Sequence, residues 1–364
     1  MRTRSTRISA MRRFLKDNTF IVNRQVFFRS KRAFRLLATP LGVFPPELFS
    51  DFEKVFVYVT PGWWLGSLFG KSKQISRVVV RKTFGRFGNQ TFQLANALII
   101  AKAIGADSVA CPGNHILPNF TGQISDGIAL DTNNNAIDRT GLASLVVSFL
   151  SSWKPEAHLV GNFFYTTALA DDMFTPKSRT ETYAVVKAAQ PLETPRAPLP
   201  AEHLVIHLRG GDAFGPHAHN EYGQPPIAFY DLVLNDQSWS QITIVSEDDV
   251  NPALAHILGA AKEAGIPCSW QSASLQEDKE YLLSATTLVS SRGTFIPAIT
   301  AFSDNVSTVY VFGSEDRFRA DINIRRVVDV AGTYWDSTCV YNWTDQPWQR
   351  ELMINYSVDH LRFT

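Results

Sequence analysis

From position 201 onward, short runs of β-branched and apolar residues alternate with longer stretches whose apolar positions recur at helical spacing. HLVIHLR (203 to 209), QITIVSE (241 to 247), TTLVSS (286 to 291) and TVYVFG (308 to 313) read as strands. Between them, PALAHILGAAKEAG (252 to 265), LQEDKEYLLSA (275 to 285) and PAITAFSD (297 to 304) read as helices, with Gly265 as a stop for the first. Strands alternating with helices predict a parallel sheet with helices on its faces. Ligands of such sheets sit beyond the carboxyl ends of the strands, where this chain has GGDAFG, EDD and RGTF. Upstream, SRVVVRKTFG (76 to 85) reads as a strand, followed by a glycine turn running into a long helix, RFGNQTFQLANALIIAKAIGAD.

The proline-rich stretch PLETPRAPLP (191 to 200) separates these patterns and reads as a linker. The predicted organisation is a basic extension over 1 to 75, an α/β domain over 76 to 190, the linker, a second α/β domain over 201 to 330, and a segment from 331 to 364. Two such domains imply a cleft between them for a large ligand. Residues 1 to about 70, with VFPPELF and PGWWLGSLFG, follow neither period; Trp63 and Trp64 are placed either on the first core or against lipid.

With 364 residues and 45% hydrophobic content, the chain is long enough for two cores. Net charge is only +1, and no basic stripe is interleaved with aromatic residues, which argues against nucleic acid. Positive charge concentrates in the first 35 positions, where arginines and lysines from Arg2 to Arg35 face the single acid Asp17. Such a segment suits an anionic membrane surface, or a solvated arm. No run of about 18 apolar residues offers a membrane span, and no convincing signal peptide begins the chain. Cys111, Cys268 and Cys339 fall in no CxxC spacing, which favours a reducing interior over a disulfide framework or zinc site. One glycosylation sequon, at Asn89, falls inside the glycine turn, and a sugar there would block it, so a cytoplasmic location is expected.

The chemistry sits at the strand ends. In LVIHLRGGD, alternation places Val205, His207 and Arg209 on one face and Leu204, Ile206 and Leu208 on the other. Arg209 then meets two glycines, Gly210 and Gly211, whose amides and open backbone suit a phosphate beside a guanidinium fork. Asp212 is placed to orient Arg209, to contact a sugar hydroxyl, or to pin the turn through a salt bridge. Ser290, Ser291 and Thr294 carry hydroxyls next to Gly293 at the start of a helix whose N-terminus also favours phosphate, although Ser291 or Thr294 would serve equally as an N-cap. Glu247 and Asp248 end the second strand, as partners for ribose or base or as caps for the next helix. His217, His219 and Glu221 alternate, yet lack the further ligands a metal needs; the expectation is no metal and no resident cofactor. No DxD pair and no GxSxG occur.

Three stretches together resemble the motifs of the α-1,2-fucosyltransferases. GRFGNQTFQLANALIIAKAIG (85 to 105) is similar to GGLGNQMFQYA, HLRGGD (207 to 212) to HxRRGD, and DKEYLLSATTLVSSRGTFIPAITAF (278 to 302) to the third motif. The resemblance implies a GT-B-like pair of Rossmann-type domains with parallel sheets facing a central cleft. It also implies metal-independent, inverting transfer from GDP-fucose to a glycan hydroxyl, with the nucleotide sugar as co-substrate. It assigns Arg209 to the donor diphosphate and His207 to the same pocket. Gly88, Asn89 and Gln90 fall on the first-domain turn that faces donor and acceptor. Gly211, Glu247, Asp248, Ser291, Thr294 and Phe295 line the rest of the donor site, with Asp212, His217, His219 and Glu221 as candidate bases or acceptor contacts. Two departures stand out: Gly210 replaces the second arginine, and YGQPPIAFY (222 to 230) has no counterpart. Another nucleotide sugar, or a binder without turnover, remains a second expectation.

Overall fold

The computed structural model describes residues 19–22, 25–28, 56–59, 76–80, 83–124, 127–133, 156–160, 176–189, 197–218, 220, 222–314, 317–339 and 342–364. The chain divides into two compact units, residues 1–191 and 192–364, and each is described by itself.

The first unit holds a two-stranded antiparallel ribbon, β1 (Thr19–Val22) with β2 (Gln25–Phe28). Its main sheet contains β3 (Phe56–Val59), β4 (Arg77–Val80), β5 (Ser108–Ala110), β6 (Thr121–Gln123), β7 (Ala129–Asp131) and β8 (Glu156–Val160). The order is β3-β8-β4-β5-β7-β6; β8, β4, β5 and β7 run parallel, and β3 and β6 are antiparallel edges. Helix α1 (Phe87–Ile104) crosses from β4 to β5 and packs on both strands and on α2 (Pro176–Ala189). Every residue from 90 to 101 is buried, so α1 is a core helix apolar on most sides rather than an amphipathic surface helix. Phe92 meets Tyr183 of α2 edge-on, ring centroids 5.9 Å apart. Gly105 ends α1 in the left-handed conformation, its N–H turned back to Ala101 and Lys102 carbonyls.

The second unit contains β9 (His203–Leu208), α3 (Ile227–Asp236), β10 (Gln241–Ser246), α4 (Ala253–Glu263), β11 (Cys268–Gln271), α5 (Leu275–Ser284) and β12 (Thr287–Val289). There follow α6 (Phe295–Phe302), β13 (Thr308–Phe312), β14 (Asn323–Asp329), α7 (Pro347–Asn355) and β15 (Leu361–Phe363). Strand order is β11-β10-β9-β12-β13-β14-β15, all parallel except β15. Starting at β9, the chain builds outward to β11, then returns to the other side of β9 and builds outward again. That is the doubly wound order of dinucleotide-binding folds, with its reversal between β9 and β12. Leu204, Ile206 and Leu208 join the core formed with α3, α4 and α7, while Val205 is equally buried on the opposite face. Burial on both faces explains why these strands read as continuous apolar runs.

Residues 331–364, set apart by periodicity, belong to this second unit. Asp329, at the end of β14, accepts N–H bonds from Tyr334 (2.9 Å) and Trp335 (3.0 Å) and the Tyr356 hydroxyl (2.7 Å). The π-helical turn Trp335–Cys339 then lies against two glycines. A Cβ at Gly313 would stand 2.1 Å from the Trp335 ring, and one at Gly223 only 1.8 Å from the Thr338 carbonyl oxygen. The YGQPP stretch is thus the floor on which the C-terminal segment docks, and Pro226 caps α3.

Candidate functional site

The strand order reverses between β9 and β12, where the ligand crevice of such sheets is expected, and a hydrogen bond joins the two strand ends there. His207 Nδ1 and Ser291 Oγ are 2.6 Å apart, although 84 positions separate them. The His207 ring also packs on Phe295, centroids 5.0 Å apart. Removal from water, and then the Arg209 charge beside it, push the imidazole pKa down to about 3. His207 is therefore neutral near pH 7 and too weak a base to take a proton from a hydroxyl. Its role here is that of a hydrogen-bonding wall.

Arg209 leaves the strand on the same side and is held on three of its flanks. Asp212 accepts from Nε (3.2 Å) and Nη2 (2.9 and 3.1 Å). Tyr222 lies under the guanidinium, its ring centroid 3.4 Å from Cζ. On the third flank Nη1 points at Gly293, where a Cβ would come within 2.6 Å. The salt bridge foreseen as one option for Asp212 is thus formed, and with three bonds to one guanidinium this carboxylate acts as an orienter. Asn251 donates to the Arg209 carbonyl at 3.0 Å and fixes the backbone beneath it.

Gly210 and Gly211 are explained by the neighbouring strand end. Gly211 donates its N–H to Asp248 Oδ2 at 2.8 Å, and Val250 N–H reaches Oδ1 at 3.3 Å. A Cβ at Gly210 would fall 2.0 Å from Asp248 Oδ1, and one at Gly211 would fall 2.9 Å from Glu247 Oε2. The side chain of a second arginine has no room while Asp248 holds this position. Gly211 adds φ +48°, a region that favours glycine. The Gly211 amide, expected to face a phosphate, is engaged by a carboxylate instead.

Of the two anticipated N-caps of α6, Thr294 occupies the position, though its side chain makes no cap bond, and the Ser291 hydroxyl goes to His207 instead. Gly293, at φ +129°, turns the chain into the helix. The Arg292 guanidinium lies over the Trp335 ring, 4.7 Å from its centroid.

In the first unit, the glycine turn is braced by its own amides. Gln90 is buried, donates to the Gly85 carbonyl (2.9 Å) and accepts from His115 N–H (2.7 Å). Gln93, also buried, accepts from Phe84 N–H at 2.8 Å. Both ends of the Gln90 amide are committed to backbone, which gives it a structural duty that its motif position did not reveal. Gly88 is buried and Asn89 half-buried, its side chain over Gly85, where a Cβ would meet Nδ2 at 2.1 Å.

The structure thus gathers His207, Arg209, Gly211, Asp212, Glu247, Asp248, Ser291, Thr294 and Phe295 at one end of one sheet. Gly88, Asn89 and Gln90 lie in the other unit. His217 is exposed on the loop after β9, and His219 and Glu221 lie outside the described residues, as do all the basic positions from Arg2 to Arg35. Among the described residues no helix is long and apolar enough to cross a membrane. Sequence reasoning missed Tyr222 and Asn251. Neither belongs to a periodic run, and only contact in space links them to Arg209.

No family model and no curated protein matches the chain. Among solved structures, Escherichia coli heptosyltransferase WaaC with ADP-2-deoxy-2-fluoro heptose is similar at 13% identity and TM-score 0.31, over 68% of this chain and 92% of that one. The same enzyme with ADP gives 12%, 0.31, and 69% against 93%. A putative UDP-N-acetylglucosamine 2-epimerase from Listeria monocytogenes gives 9%, 0.25, and 67% against 81%. Likeness this distant leaves the function to be argued from the site itself.

Proposed function

We propose that the protein is a glycosyltransferase that moves a sugar, with fucose the first candidate, from a GDP-sugar to a glycan hydroxyl without a metal. The observation that carries this reading is the pre-oriented Arg209 guanidinium at the chain reversal, with its Nη1 edge turned toward the Gly293 turn. An anomeric diphosphate leaving there develops negative charge, and a fixed cation stabilises it without reorganising. In the step, the acceptor oxygen forms a bond to the anomeric carbon from the face opposite the diphosphate. The C–O bond to the diphosphate breaks with its electron pair on phosphate, and the hydroxyl proton passes to solvent or to a carboxylate. The basic N-terminus and a cytoplasmic membrane face remain part of this proposal.

Thermal shift with GDP, UDP, ADP and CDP tests the donor class. GDP is expected to stabilise most, and stabilisation by UDP or ADP alone would remove the fucosyl assignment. Arg209→Ala is expected to lower turnover at least ~100-fold; near-normal transfer by a folded variant would overturn the reading. A nucleotide-sugar binder without turnover is the second reading. It is favoured by the engagement of Arg209 by Asp212 and of Gly211 by Asp248. Slow release of free sugar from the donor separates the two.

A further inference from the structure

The chain that follows HLRGGD is gripped by a segment 130 positions later. Trp343 is fully buried, and its ring Nε1 donates to the Ala213 carbonyl. Its backbone N–H donates to the Asn220 carbonyl at 3.2 Å, and its ring meets Phe214 edge-on, centroids 5.8 Å apart. Two residues on, the Asp345 carboxylate is 2% exposed and accepts the Gly215 N–H. Arg350, from the first turn of α7, donates Nε and Nη2 to the same carboxylate, both at 2.6 Å, and lies over the Phe214 ring. A two-point pairing of this kind fixes direction as well as distance.

The grip is itself anchored. Gln349 is fully buried; its amide oxygen accepts from the N–H groups of Thr344 (2.9 Å) and Gln346 (3.1 Å), and its Nε2 donates to the Asn342 carbonyl at 2.7 Å. Asp345 sits between these held neighbours at φ +54°, in the left-handed region that few residues besides glycine, asparagine and aspartate enter. An unfavourable backbone is thus kept where it aims one buried carboxylate at the loop.

The loop carries both groups that hold Arg209. Asp212 directly precedes Ala213, and Tyr222 lies between Asn220 and Gly223, the glycine packed on the Thr338 carbonyl. Asp212 supplies the hydrogen bonds to the guanidinium and Tyr222 the ring beneath it. Without them a long side chain samples many rotamers, and ordering it opposes the binding of an anion.

We infer that Asp345 and Trp343 are positioning residues of the anion site: they fix the ends of the loop, the loop fixes Asp212 and Tyr222, and these orient Arg209. The inference rests on the proposal that Arg209 binds the donor diphosphate, and adds to it the source of that cation's orientation. The C-terminal segment then acts on the ligand only through Arg209.

The test combines pyrophosphate calorimetry on the full chain with amide hydrogen exchange over the stretch 209 to 216. Asp345→Gly is the informative variant, because glycine keeps the φ of +54° without strain and only the carboxylate is lost; Arg350, 39% exposed, then turns to water. Exchange over the stretch should quicken, and pyrophosphate affinity should fall roughly 2- to 10-fold, the effect of ordering one long side chain. Asp345→Asn, which keeps an acceptor for Gly215, should retain most of the affinity. In an Arg209→Ala background, Asp345→Gly should cause no further loss. Tyr310→Phe is the control: it removes a hydrogen bond to Asp236, at the far end of α3, and should lower stability while pyrophosphate affinity holds. Unchanged affinity in a folded Asp345→Gly protein would overturn the inference while the donor reading stands. An equal loss in the Arg209→Ala background, or a matching loss in Tyr310→Phe, would also overturn it, because either marks general destabilisation. Failure of the wild-type protein to bind pyrophosphate would remove the underlying reading instead.

Discussion

Two residues at the crevice make opposite statements about charge. Arg209 is the cation of the strand end, whereas His207, one turn of the pleat earlier, is kept neutral. In the unfolded chain this histidine takes up a proton near its ordinary value of 6.5, and in the folded protein only near about 3. The unfolded state therefore binds more protons between those values, so stability is full above about 6.5 and declines as pH falls toward 3. His203, also pushed down by burial, adds to the same slope. His207→Asn is expected to flatten the acid limb of a denaturation-versus-pH curve, and an unchanged slope would show that His207 is not excluded from protonation. Gly210 and Asp248 form a second linked pair. Gly210→Ala should cost about 1 to 3 kcal/mol, as overpacking does, because its Cβ meets a carboxylate already held by Gly211. Adding Asp248→Gly should recover most of that loss, and strict additivity in the cycle would contradict the coupling.

At the scale of elements, the interior of the second sheet was legible and its margins were not. β9, β10, β12 and β13 are apolar on both faces and stand out as β-branched runs, and α4 and α5 fall within a residue or two of their expected spans. β11 (CSWQ) and β14 (NIRRVVD) lie toward the edges, with polar and charged positions that carry no alternating signal. α3 escaped because YGQPPIAFY looked like an unfamiliar motif; its two prolines are an extended approach and a helix start. Within the site, Arg209, His207 and Ser291 were readable from strand alternation and motif. Their support was not, since Tyr222 reaches Arg209 from a loop and Gly210 answers to a residue 38 positions away. Glycines sort by the same logic. Gly223→Ala drives a Cβ into the Thr338 backbone and should both destabilise the unit by more than ~1 kcal/mol and free the C-terminal segment to protease. Gly259→Ala, at an exposed position of helix α4 with nothing within 4 Å, should raise stability by about 0.5 to 1 kcal/mol. Denaturant titration of the pair distinguishes close packing from mere helix propensity.

At the scale of the whole molecule, each unit contains a parallel sheet that begins at a central strand and reverses. β4 in the first unit and β9 in the second are flanked by the next strand on one side and by a later one on the other. Sheet pairing alone fixes where each crevice falls, and the residues that follow those central strands, the glycine turn of α1 and HLRGGD, are the stretches in which the motifs were found. The bridge between His207 and Ser291 has a kinetic corollary. It closes a loop of more than 80 residues, and loop-closure entropy must be met before that contact returns anything. Half of the candidate site is thus synthesised and paired through β10 and β11 long before the strand that completes it arrives. The site belongs among the last features to form during refolding, and recovery of the nucleotide binding proposed above should lag behind recovery of helical signal.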